Sequence, residues 1–393
     1  MGCFSFLCAR RVRSSARQFY DFSEELSSVQ NVKLYKYEEL RIATDGFSAE
    51  NKIGVGGFGS VYKGKLQNGN IAAIKVLSAD STQGVKEFLT EIKVISDIEH
   101  ENLVKLYGCC VEADHRILVY NYLENNSLAR TLLGGGHKSI QFSWEIRAKI
   151  CVGVARGLAF LHEEVHPYIV HRDIKASNIL LDKDLNPKIS DFGLAKLVPS
   201  HMTHVSTRVA GTLGYLAPEY AIKGQLTRKA DVYSYGVLLL EIISGRCNRN
   251  TRLPIEERYL VGRTWTHYER KELVDLVDIS LNGNFNAEEA CRFLKVGLLC
   301  TQGDQNLRPS MTTVVRLLEA KVDIDEYEIT KPALISDFMD TKVRNAPGTK
   351  LRTNDTSSKS VSSSSEIPEN TAMSSGASSC ATMTFTAVED RST

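Results

Sequence analysis

The chain has 393 residues, of which 42% are hydrophobic and 24% charged, with a net charge of +1. That suits a folded chain long enough for two lobes and appendages, while the balanced charge argues against nucleic acid as a partner, which calls for a basic excess. Nine cysteines without a C-x-x-C pair read as buried thiols of a reducing, intracellular compartment, not as a disulfide framework.

Residues 1–46 form an N-terminal arm rich in Ser and Arg. It holds no apolar stretch long enough for a signal peptide. Gly2, Cys3 and Cys8 suggest lipid attachment. Phe6 stands where the N-myristoylation pattern wants Ser or Thr, whereas palmitoylation of Cys3 or Cys8 needs no such pattern. Arg10, Arg11, Arg13 and Arg17 add a basic patch worth about 1 kcal/mol each near anionic lipid. One acyl chain binds only marginally, so acyl group plus patch is the expected pair.

Strand-like runs follow at Asn51 to Leu66 and Asn70 to Leu77, separated by a Gln67-Asn68-Gly69 turn. A helix capped by Ser81 or Thr82 carries Val85, Phe88, Leu89, Ile92 and Ile95 at helical spacing. Two further strands are expected at Leu103 to Cys110 and Arg116 to Tyr122. Beyond Tyr122 the pattern turns helical: Ser143 to Glu163, Val232 to Ser244, Leu260 to Tyr268, Ala287 to Cys300 and Met311 to Ala320. No apolar run reaches the ~18 residues a membrane span needs; Val237 to Ile243 reads as a core helix. The expected fold class is therefore α+β: a small β-rich lobe with one helix (47–123) and a large helical lobe (124–322), with a cleft between them. Residues 323–393 read as a mostly disordered tail. Its last 45 residues hold 20 Ser or Thr, too little apolar surface to offset the entropy of ordering.

Three motifs carry chemistry. Gly54-x-Gly56-x-x-Gly59-x-Val61 lets backbone N–H groups approach phosphates, although a tight hairpin without ligand would look the same. It runs into a strand rather than a helix, which excludes a dinucleotide fold. Lys75 closes the apolar strand Ala72-Ala73-Ile74-Lys75 and is costly if buried unpaired. Glu91, at the edge of the helix's core-facing stripe, could pair with it; a surface ammonium and a solvated carboxylate are the bland readings. The third motif is His171-Arg172-Asp173-Ile174-Lys175-Ala176-Ser177-Asn178, followed by Asp191-Phe192-Gly193. An Asp can orient and deprotonate a hydroxyl, a Lys can neutralise developing charge, and an Asn and a second Asp are hard oxygen ligands for Mg²⁺.

Together with Ala217-Pro218-Glu219, Asp231 and Arg308, these motifs resemble the protein-kinase signature set in order and spacing over residues 47 to 320. "FSWEIRAKICVGVARGLAFLHEE", "IVHRDIKASNILLD" and "GTLGYLAPEYA" look like the plant receptor-like kinases, relatives of Pelle. Without an ectodomain or spanning helix the chain resembles the receptor-like cytoplasmic kinases. The resemblance implies a bilobal kinase fold that moves the ATP γ-phosphoryl group to Ser or Thr of protein substrates, with Mg²⁺, or Mn²⁺ in its place, as cofactor. Tyrosine stays open as a further acceptor.

By the same resemblance, Ile53, Gly54, Gly56, Gly59, Val61, Ala73, Tyr120 and Leu123 surround ATP. Lys75, oriented by Glu91, grips the α- and β-phosphates. Asn178 and Asp191 bind the metal, Asp173 is the base and Lys175 stabilises the transferred group. Arg308 is expected to pair with Glu219. Arg172 seeks an anion, which makes Thr203, Ser206, Thr207 and Thr212 candidate regulatory phosphorylation sites, with Thr207 or Ser206 favoured as its partner. An upstream receptor kinase, receptor-linked or stress signalling, and a place on the inner face of the plasma membrane with a cytoplasmic pool complete the expectation. The rival reading is a pseudokinase scaffold, which would be betrayed by loss of Lys75, Asp173, Asn178 or Asp191; all four are present.

Overall fold

The structure, a computed structural model, describes residues 32–56, 59–77, 82–134, 140–254, 257–334 and 384–386. The expected lipidation positions Gly2, Cys3 and Cys8, the cap at Ser81 and nearly all of the Ser-rich tail lie outside those residues.

The first helix, α1 (Tyr37–Ala43), falls within the stretch read as an arm. Leu40 is fully buried, and Tyr35 beside it donates its N–H to the Cys109 carbonyl at 2.8 Å. The arm therefore gives way to packed structure before residue 47. Five antiparallel strands follow in the spatial order β1 (Lys52–Gly56), β2 (Gly59–Lys65), β3 (Ile71–Leu77), β5 (His115–Asn121) and β4 (Leu106–Glu112), with α2 (Thr82–Ile95) between β3 and β4.

The period-2 alternation of strands decides what each face does. Ala72 and Ile74 of β3, with Ile117 and Val119 of β5, point outward and are covered by Leu40 and Tyr35. Ala73, Leu118 and Tyr120 point inward to the main core, joined by Phe88, Ile92 and Ile95 of α2. The alternation also splits the adjacent cysteines of β4: Cys109 faces inward and Cys110 outward, both as buried free thiols. Burial pushes these thiols up to about 12 and about 11.

The second lobe begins with α3 (Leu128–Thr131) and α4 (Trp144–Ala159). The Ser143 hydroxyl caps α4, accepting from the Ile146 N–H. Two short ladders follow: β6 (Tyr168–Val170) pairs with β9 (Lys196–Val198), and β7 (Ile179–Leu181) pairs with β8 (Pro187–Ile189). The segment beyond holds β10 (Val205–Ser206), β11 (Ala210–Thr212), α5 (Pro218–Lys223) and β12 (Gln225–Leu226), with β10 on β12. Helix α6 (Arg228–Ser244) is buried from Ala230 to its end; burial on every face is that of a central helix. Against it pack α4, α7 (Leu260–Glu269) and α8 (Ala287–Cys300), and α9 (Met311–Leu318) packs on α4 and α8. Among the described residues no helix is long and apolar enough to cross a membrane.

Arg308 ties α5 to this body as the resemblance implied. Its guanidinium donates to both Glu219 oxygens, at 2.7 and 2.8 Å, with Arg308 1% exposed. Past α9 the chain packs further than expected: Ile324 is buried, and the Tyr233 hydroxyl donates to the Ala333 carbonyl at 2.9 Å. A second departure from the disordered-tail reading is β13 (Thr384–Thr386), which pairs antiparallel with β11.

Candidate active site

The cleft between the lobes holds a cavity of about 810 Å³. From the first lobe Ile53, Gly54, Gly59, Val61, Ala73 and Lys75 line it, and from the connection Tyr120 to Leu123. Leu180 of β7 faces it from the second lobe, a lining residue that the motif reading missed. Gly56 closes the β1–β2 hairpin opposite Gly59. At Gly59, with φ +140°, a Cβ would fall 1.9 Å from the Val76 carbonyl oxygen; only glycine lets β2 lie so close to β3. Asn121 does more than present backbone, since its Oδ1 accepts from the Lys105 N–H at 2.8 Å.

Lys75 sits on the cleft face of β3 by the same alternation that buries Ile74. Its ammonium contacts Glu91 Oε2 at 3.0 Å and Asp191 Oδ1 at 2.9 Å. Burial alone would depress the lysine, but Asp191 and Glu91 hold it raised above the ordinary value. Burial likewise favours the neutral form of Asp191, and Lys75 overrides this to keep its carboxyl lowered. Asp191 is held at φ 69°, a left-handed conformation uncommon for aspartate, while the next residue, Phe192, is fully buried against the His171 ring at 4.8 Å.

The loop from His171 to Asn178 is fastened from behind. Asp231, in the first turn of α6 and 0% exposed, accepts from the backbone N–H groups of His171 (2.7 Å) and Arg172 (2.8 Å), and pairs with His162 Nε2 at 3.0 Å. Burial opposes its charge, and the bond to His162 and the charges of His162 and His171 keep its carboxyl lowered. These bonds pin Arg172 at φ 71°.

That turn leaves Asp173 facing the segment of β11. Its Oδ1 accepts from the Thr212 hydroxyl at 2.6 Å; its Oδ2 contacts Lys175 Nζ at 2.7 Å and accepts from Asn178 Nδ2 at 3.1 Å. Lys175 Nζ also donates to Thr212 Oγ1 at 2.8 Å. A Cβ at Gly211, where φ is +132°, would lie 2.6 Å from the Arg172 carbonyl oxygen, so glycine is what admits β11 to this contact. Thr212, one of the hydroxyls read as a candidate phosphorylation site, is enclosed by this contact. It is 3% exposed and its hydroxyl is engaged by Asp173 and Lys175, which makes it a positioning group here. Thr203 and Ser206 are exposed and Thr207 is half-buried. The Arg172 guanidinium is not bare: it donates to the Leu194 and Arg208 carbonyls and to the Tyr220 hydroxyl.

The chemistry of the donors fits the groups the motifs imply. Asp191 and Asn178 offer hard oxygens at one cavity, suited to a divalent cation. Lys75 offers a cation for phosphates, and the apolar walls suit an adenine ring. Replacing Thr212 with Ala is expected to lower kcat by about 10–100-fold with little change in the KM for ATP, and Thr212→Ser to restore it. Steady-state kinetics check this; full activity in the alanine variant would contradict it.

Comparison with known proteins accords with this geometry. The protein kinase domain family model matches residues 47–317. Cold-responsive protein kinase 1 of Arabidopsis thaliana is 67% identical over 385 residues, covering 96% of this chain and 97% of that protein. Two probable leucine-rich-repeat receptor-like serine/threonine kinases of the same plant are 49% and 53% identical over 87% and 78% of this chain. The chain spans only 33% and 30% of those two receptor-like proteins. The chain belongs to the protein kinase family, in its plant receptor-like serine/threonine branch.

Proposed function

We propose that the chain transfers the ATP γ-phosphoryl group to serine and threonine hydroxyls of proteins, with Mg²⁺ as the working cation and Mn²⁺ able to replace it. The observation that carries this is the meeting, at one cleft, of the Lys75–Glu91–Asp191 cluster with the Asp173–Lys175–Asn178 loop. Bound at Asp191 and Asn178, the cation would neutralise charge on the phosphates. Lys75 holds the phosphate chain. Asp173, kept oriented by Thr212 and Asn178, takes the acceptor hydroxyl's proton; its carboxylate has lone pairs to spare beyond the bonds it already accepts. Lys175 offsets charge on the transferred group. Positioning and electrostatics carry the rate.

Regulation follows from Arg172. Its present acceptors are neutral, and a phosphate on Thr207 or Ser206 would give a stronger, charge-assisted partner that orders the loop. An upstream receptor kinase is the expected donor. The test is transfer of labelled γ-phosphate from Mg-ATP to a generic basic protein by the full chain. Wild type should label Ser and Thr, Lys75→Met and Asp191→Asn should fall by at least about a hundredfold, and Ser206→Ala/Thr207→Ala should be weakened. Equal transfer by wild type and Asp191→Asn would contradict the catalytic role, and full activity of the double alanine form would contradict the switch.

The setting we propose is receptor-linked or stress signalling at the inner face of the plasma membrane, with a cytoplasmic pool. Support comes from the name of the cold-responsive relative and from Gly2, Cys3, Cys8 and the arginines beside them. A fluorescent fusion carrying Gly2→Ala/Cys3→Ser should shift to the cytosol in plant cells; retention at the membrane would contradict acylation there.

A further inference from the structure

We infer that the segment around Thr384–Thr386 is a peptide substrate held in cis, with Thr384 as its phosphoacceptor. This rests on the phosphoryl transfer proposed above. Strand β13 lies antiparallel on β11 in the register Ala210↔Thr386, Gly211↔Phe385 and Thr212↔Thr384. The register is the argument: Thr384 is paired with the residue whose hydroxyl is bonded to the base Asp173 at 2.6 Å. Of the tail's many hydroxyl residues, this one is set in register with the catalytic loop's own partner.

Both sides of the pairing make physical sense. β11 is a short strand with no other partner among the described residues, so its free edge presents backbone donors and acceptors to an extended peptide. The sequence Met383-Thr384-Phe385-Thr386-Ala387-Val388 offers β-branched and aromatic residues that suit a strand, unlike the Ser-rich stretch before it. Residues 335–383 tether it to the kinase body. A Gaussian chain of 49 residues would have an r.m.s. span of about 40 Å, enough to make docking on its own domain an intramolecular event at high effective concentration.

The Thr384 hydroxyl oxygen forms a bond to the γ-phosphorus, the bond from that phosphorus to the β,γ-bridging oxygen breaks, the proton goes to Asp173, and ADP leaves. Until it is phosphorylated, the segment competes with other protein substrates for the β11 edge.

The test uses full-length protein dephosphorylated before the assay, incubated with labelled Mg-ATP over a range of protein concentrations, with phosphosites mapped and a generic basic protein as second acceptor. The expected result is label on Thr384 at a rate per molecule independent of protein concentration, absent in Thr384→Val. Phe385→Pro removes a backbone donor and disfavours the strand. It should cut Thr384 labelling by about tenfold, and lower the KM for the added protein without lowering kcat. Labelling of the added protein with Thr384 unlabelled, or Thr384 labelling that rises with protein concentration, would overturn the inference and leave the kinase reading standing. Transfer to neither acceptor would overturn both.

Discussion

A half-buried ammonium held between two carboxylates organises this molecule. Lys75 comes from the sheet of the first lobe, Glu91 from the helix beside it, and Asp191 from the loop below, on the second lobe. An unpaired ammonium here would be strongly disfavoured, so the lysine draws all three elements to one point. With one positive and two negative charges, the cluster carries an excess of one negative charge. A divalent cation shared with Asn178 would offset that excess, so the cluster is suited to a metal–phosphate ligand as well as to holding the lobes together.

A second buried carboxylate does the matching work behind the site. Asp231 collects two backbone N–H groups and a histidine at the start of a central helix, where the helix dipole also favours negative charge. Its reward is geometric: the chain at Arg172 is held in a left-handed conformation that L side chains avoid, and Asp173 is turned toward Thr212. Asp191 is held in the same unusual region. Arg172 adjoins Asp173, and Asp191 lines the cleft; backbone strain tends to be retained at such places because the surroundings over-determine it.

What could be read from the sequence divides along the range of the interactions. Asp173, Asn178 and Asp191 stood out in the sequence because their residue types suit the proposed chemistry and fall in one short stretch, whereas Lys75, 116 residues from Asp191, stood out only as a lysine closing an apolar strand. The strand alternation around Ala72 to Lys75 and the helices near Ala287 and Met311 were legible from periodicity. The bond from Thr212 to Asp173 was not legible, because a loop hydroxyl looks the same in sequence whether it faces solvent or binds a carboxylate 39 residues earlier. Helix α1 gave little signal, since Leu40 alone is buried in it. The backbone-holding role of Asp231 and the strand β13 depend on contacts with distant segments, Arg172 and β11, which no window of neighbouring residues contains.

The claim that the Lys75 cluster sets the site is tested most directly by Glu91→Gln, which keeps the side chain's shape and removes its charge. Kinetics of phosphoryl transfer, measured beside a thermal melt, should show kcat/KM for ATP lower by about tenfold or more in a protein that still unfolds cooperatively. Wild-type kinetics in that variant would mean that Lys75 is placed without its helix partner, and that the cluster is not what organises the cleft.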